Sequence, residues 1–187
     1  LIEQGAEERL PALLESVSRT AAARGAKRVF LRLDRDDPAV DHARQSGFFP
    51  CFQETLFKGS PLRQTDGSRG SLKKKEARHD YDLFRLYNAT TPADVRSTVG
   101  MTFDAWRASV ERLPGRSTEF VMESSGQAIG WVRYARRSST GVLSAVFQPS
   151  AEEGLVSAIE FALGRLSGAS TVYCLVPEFQ VALGRAL

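Results

Sequence analysis

The sequence predicts an α/β protein built on a mixed sheet, and three observations carry that reading. Gly141 to Gln148 (GVLSAVFQ), the helical stretch after it and Thr171 to Val176 (TVYCLV) read strand, helix, strand, a right-handed crossover between parallel neighbours. Thr118 to Glu123, the Ser124-Ser125-Gly126 turn and Gln127 to Arg136 alternate apolar and polar residues as a hairpin does, with Gly141 to Gln148 as the third strand of the meander. Three helical pieces precede that hairpin.

Taken in order, Ala6 to Arg24 is a helix with Leu10, Leu13, Leu14, Val17 and Ala21 on one face and Pro11 in the first turn, where a missing amide donor costs little. It closes at Gly25. Arg28 to Leu33 (RVFLRL) reads as a strand, Pro38 to Gln45 as a short helix ending at Ser46-Gly47, and Phe48 to Phe57 as one or two strands. Lys58 to His79 carries Gly, Ser, Pro and Lys with almost no apolar residue, the composition of a linker. Asp80 to Asn88 is a helix through Leu83, Phe84, Leu86 and Tyr87, a second starts near Pro92, and Thr102 to Leu113 presents Phe103, Trp106 and Val110 on one face. After the meander, Ser150 and Glu153 form a capping box for a helix whose stripe is Leu155, Ile159, Ala162, Leu163 and Leu166 and whose end is a left-handed Gly168. Glu178 to Leu187 begins a last helix.

A repeat lies under this order. Ala6 to Leu10 matches Ala151 to Leu155, Gly25-Ala26 matches Gly168-Ala169, Val29-Phe30 matches Val172-Tyr173, and Val40 and Arg44 match Val181 and Arg185. The expected organisation is therefore residues 1–58 as the rear of one copy, 59–79 as a basic linker and 80–187 as the front and middle of a second. Leu1, where an initiator methionine would stand, fits a piece of a longer chain.

Composition narrows the function classes. Of 187 residues, 42% are hydrophobic and 25% charged, ordinary for a globular protein. Lys58 to His79 holds seven basic and two acidic residues, leaving 18 basic and 20 acidic elsewhere, so the net +3 belongs to the linker. Lys73, Lys74 and Lys75 lack the interleaved aromatics of a nucleic-acid surface and read as a solvated run. No apolar run approaches a membrane span and no secretory signal opens the chain, so the cytoplasm is expected. Cys51 and Cys174 read as small core residues. His42 and His79 have no carboxylate or cysteine at ligand spacing, so no metal is expected.

The order of elements, with Ala39 to Phe48 (AVDHARQSGF) and Gly126 to Val132 (GQAIGWV), resembles the GNAT N-acetyltransferase superfamily in a partial tandem form with degenerate motifs. The resemblance implies acetyl-CoA as donor and a small-molecule or peptide amine as acceptor. It also implies a pyrophosphate held by backbone amides of a glycine-bearing loop, of the pattern Gln or Arg, two residues, Gly, one residue, Gly or Ala, ahead of the helix that follows the meander. Helix starts suit an anion because their first amides lack partners and the dipole is positive there. Here the corresponding loop is Gln148-Pro149-Ser150-Ala151-Glu152-Glu153-Gly154, where a proline, a capping serine and two carboxylates fill the cradle. The tyrosine that the family often places before its Gly-Phe turn is Ala43 in the first copy and Gly184 in the second. The coenzyme-binding candidates are Val146, Phe147, Gln148, Ser150 and Gly154, with the free backbone groups of Val146 and Phe147 facing the splay of the parallel strands. Glu119 and Glu123, alternating on one strand, are the candidate general bases, and Trp131, Tyr134 and Phe147 read as core or cleft wall. The alternative is a non-catalytic scaffold or protein-binding module of the same fold.

Overall fold

The computed structural model describes residues 9–62 and 71–187, the side chains of Glu152 and Glu153 excepted. The chain divides into two compact units, Leu1–Pro50 and Cys51–Leu187.

In the first unit, α1 (Leu10–Ala23) and α2 (Ala39–Gln45) pack together, with Leu14, Ala39 and Ala43 buried. Gly25 and Gly47 follow the two helices at φ of 83° and 84°, the left-handed turn that releases a helix end. Asp37 Oδ1 accepts the Ala39 amide at 2.8 Å, satisfying one donor at the start of α2. Arg28 to Leu33, expected as a strand, is not one: among the described residues of this unit no other strand offers it a ladder, and Phe30 and Leu31 are exposed. A β-rich sequence without a neighbour has no way to satisfy its backbone as a sheet.

The second unit is a six-stranded mixed sheet in the order β1-β6-β5-β4-β3-β2, where β1 is Glu54–Gly59, β2 Leu72–Lys74, β3 Arg116–Ser124, β4 Gln127–Arg137, β5 Thr140–Phe147 and β6 Thr171–Pro177. Only β5 and β6 run parallel, joined by α6 (Glu152–Arg165). The hairpin turn falls where the sequence puts it: Ser125 and Gly126 both have positive φ (49° and 75°), the two-residue primed turn that matches strand twist. Two segments differ from expectation. β1 pairs antiparallel with β6 from Glu54↔Pro177 to Gly59↔Val172, so it completes this sheet. The basic run forms an edge strand, because Leu72 is buried opposite Met122 while Lys73 and Lys74 stay in solvent and shield the edge.

Helices cover both faces. Against α6 lie Phe120, Met122, Val132, Leu143, Phe147, Val172, Cys174 and Val176. The other face takes α3 (Asp80–Thr90) and α5 (Phe103–Ser109), where Leu83, Leu86 and Trp106 meet Val121, Ala128 and Trp131. Between α3 and α5 lies α4 (Ala93–Val99), and α7 (Val181–Ala186) packs on α6. α5 stops at Ser109, earlier than Leu113, and starts on a Thr102 hydroxyl that accepts the Ala105 amide at 3.2 Å. Gly168 is not left-handed, and the Arg136 guanidinium lies over the face where a β-carbon would stand. Burial raises the Cys174 thiol to about 12, as befits a core residue.

Gly130 faces the Phe147 ring so closely that an added β-carbon would overlap its edge. Gly130→Ala is expected to destabilise the protein by about 1–3 kcal/mol, because a buried ring cannot yield as a flexible chain end can. Urea unfolding measures it; an unchanged midpoint would show that the ring has room.

Candidate functional site

The parallel pair is short. β5 and β6 stay in register from Thr140↔Thr171 to Leu143↔Cys174 and then part, leaving the last residues of β5 bonded on one side only. Which groups face the gap follows from the ladder. The Gln148 amide donates to the Ile129 carbonyl at 2.9 Å, and in an antiparallel pair bonded and non-bonded positions alternate. Gln148 and Val146 therefore spend their peptide groups on β4, whereas Phe147, opposite Gly130, turns its amide outward. Of the two residues expected to offer backbone there, Phe147 does and Val146 does not; the Val146 side chain instead joins the cluster around Trp131.

The gap already holds a protein group. Gln180, in the turn between β6 and α7 and only 6% exposed, accepts the Phe147 amide on Oε1 at 3.4 Å. That distance is beyond the usual range for an amide bond, so the contact is weak. Gln180 is the residue of this candidate site that sequence reading missed. A polar residue at a helix start carries no signal of a bond reaching back 33 positions.

The expected serine cap is not where the helix begins. Pro149–Ala151 form a single 3-10 turn, in which the Ala151 amide bonds the Gln148 carbonyl at 2.9 Å, and this moves the N-cap of α6 to Ala151. Alanine has no acceptor, so the cap position itself contributes no side-chain bond, and Ser150 lies inside the preceding turn. Gly154 has a packing reason: a β-carbon would stand 2.6 Å from Met122 Sδ. Gln148 lines a small hollow of about 140 Å³ with Asp82, Arg85 and Gln127.

The two candidate carboxylates have different surroundings. Glu119 is half-buried, accepts the Trp131 indole N–H on Oε2 at 3.1 Å, and lines a hollow of about 330 Å³ between the 110–115 loop and the sheet. Across from it in register stands Arg133. Its guanidinium donates to the Glu111 carbonyl (2.8 Å) and to Ser144 Oγ (2.9 Å) and lies 4.5 Å from the Trp131 ring centre. Burial lowers the Arg133 pKa, opposed by Glu119 and Glu111.

Glu123 is committed elsewhere. Lys73 Nζ donates to its Oε2 at 2.5 Å, and the Nε2 of buried His79 stands 3.1 Å from Oε1, close but poorly aligned for a hydrogen bond. His79 in turn is fixed by a reciprocal capping box: its Nδ1 accepts the Glu76 amide at 2.8 Å while the Glu76 side chain takes the His79 amide. An acceptor Nδ1 leaves the proton of the neutral ring on Nε2, towards Glu123. His79 belongs to fold as much as to charge, and no metal cluster occurs among the described residues.

The Lys73 hydrogen bond, chiefly, holds the Glu123 carboxyl below its ordinary 4.5. A carboxylate with a depressed folded pKa stabilises the fold above 4.5 and loses that contribution as pH falls through the folded value. Glu123→Gln is thus expected to weaken the protein at neutral pH and to flatten its acid unfolding curve. Urea midpoints across the acid range check this, and parallel curves for both proteins would count against it.

No protein-family model matches the sequence and no curated protein matches it. Solved structures do. A functionally unknown conserved protein from Staphylococcus epidermidis superposes with a TM-score of 0.55 at 14% identity, over 92% of this chain and 71% of its own. A GCN5-related N-acetyltransferase from Anabaena variabilis gives 0.50 at 11% identity, over 92% of this chain, which spans 44% of that enzyme's length. At these identities the likeness is one of fold, and the α/β fold with a six-stranded mixed sheet is one that this chain shares with a GCN5-related N-acetyltransferase.

Proposed function

We propose that Cys51–Leu187 is the frame of an N-acyltransferase that takes acetyl-CoA as donor and an amine as acceptor. The observation that supports it most is the Phe147 amide, turned out of the ladder into the gap between parallel strands and met only by a 3.4 Å contact. Such gaps at the carboxyl ends of parallel strands are where open α/β sheets take ligands. The pantetheine arm of coenzyme A carries secondary amides of the same chemistry as the Gln180 carboxamide, so donor and side chain are interchangeable partners for that amide. Phe147 would hold the arm, and the α6 start, with no side-chain hydrogen bond at its cap position, would face the pyrophosphate. Gly154, closed by Met122, contributes packing there.

The transfer needs little from side chains. The acceptor's ammonium first gives one proton to a base; the neutral amine then attacks the thioester carbonyl, the new C–N bond forms as the C–S bond breaks, and the departing thiolate takes the second proton shed by the nitrogen. Holding the two reactants together supplies much of the rate. Glu119, at the wall of a hollow, is the base we assign to the first of these protons, whereas Glu123 is spent on Lys73.

We also propose the tandem arrangement. It is supported by the residue matches Gly25-Ala26 with Gly168-Ala169 and Val40 and Arg44 with Val181 and Arg185, and by the helices α1 and α2 standing where α6 and α7 stand, although the 28–33 stretch at the place of β6 is not a strand. A second reading, a non-catalytic scaffold, is favoured by one observation: Gln180 is buried and already occupies the gap.

Calorimetric titration with acetyl-CoA of the protein and of Gln180→Ala decides between them. Micromolar binding by the unaltered protein is the expected result, and Gln180→Ala should bind more tightly by up to about tenfold, the worth of one modest hydrogen bond. Binding by neither protein at millimolar coenzyme would leave the scaffold.

A further inference from the structure

Glu119 and Arg133 sit opposite each other on β3 and β4, within each other's field, yet each is anchored by other groups. The carboxylate is fixed by the Trp131 indole. The guanidinium is fixed by a backbone carbonyl, a serine hydroxyl and the same indole face. Both line the hollow of about 330 Å³, whose other charged walls are Glu111 and Arg112, so its formal charge is balanced. An ionised carboxylate has about four acceptor sites and a guanidinium five donors, and the contacts above use one and two of them. A hollow with balanced charge and two rigidly held opposite poles disfavours a simple anion or cation. It favours a ligand that carries both charges at short separation.

We propose that this hollow binds a small zwitterion of the α-amino-acid type, its ammonium on Glu119 and its carboxylate on Arg133. This rests on the acyltransferase reading only for the fate of the amine, where it names the acceptor class and makes Glu119 the group that receives the proton. Binding itself needs no coenzyme. Val110 and Leu113 at the rim leave an apolar wall for the ligand's side chain.

The test is an equilibrium titration of the coenzyme-free protein with each standard amino acid. It is followed, for the tightest, by the amine that lacks its carboxylate and the acid that lacks its ammonium. The amino acid is expected to bind in the micromolar to millimolar range, and each single-charge analogue to bind weaker by about tenfold or more, the effect of losing a charged hydrogen bond. Glu119→Gln, which keeps an acceptor for the indole, should cost the zwitterion a similar factor while leaving the acid analogue unchanged. Absence of binding by every amino acid to the folded protein would overturn the proposal, as would an amine or acid that binds as well as its parent. Because acetyl-CoA takes no part, failure of the coenzyme titration and failure of this one are separate results.

Discussion

The placement of one residue, Phe147, governs what the end of the parallel pair can do. Its ring lies on Gly130 inside the α6-side core, and a strand that buries one side chain must alternate its peptide groups between neighbours. With Gln148 bonded back to Ile129, the Phe147 amide has no choice but the gap beside β6. The glycine makes this possible: any side chain at position 130 would push the ring away and with it the register of the last strand turn. The site is thus a consequence of core packing, with no dedicated loop behind it.

Much of this was legible because it is local. The hairpin turn at Ser125-Gly126, the amphipathic α3 and the α6 stripe are each set by residues a few positions apart, and sequence periodicity reads such spacing directly. What sequence reading missed depends on partners far along the chain. Arg28 to Leu33 has the composition of a strand but forms no ladder with any strand among the described residues. Leu72 lies in a run that composition reads as linker, and one buried leucine opposite Met122 is enough to dock it as an edge strand. The Ser150 cap failed for a different reason, since Pro149 starts a tighter turn that a capping-box pattern does not anticipate.

The charged residues follow the same division. Glu119 and Glu123 alternate on one strand, and alternation says nothing of what stands opposite. Trp131 and Arg133 give Glu119 a wall and a hollow, while Lys73 and His79 give Glu123 a structural task at the junction of the edge strand and α3. His79 illustrates the limit well. It looked isolated because its partners, Glu76 in the capping box and Glu123 across the sheet, are joined to it by the fold, the second at a remove of 44 residues.

The Gln180 contact shows what the gap demands of whatever fills it. A buried amide left without an acceptor costs on the order of 1–3 kcal/mol, so the gap must contain an acceptor whatever the protein does. Gln180 supplies one at 3.4 Å, long enough to forfeit part of the bond yet sufficient to avoid the full penalty. An incoming carbonyl at a normal distance would improve on it. A single glutamine thus meets the gap's need for an acceptor, by a contact long enough that a better-placed acceptor would compete with it.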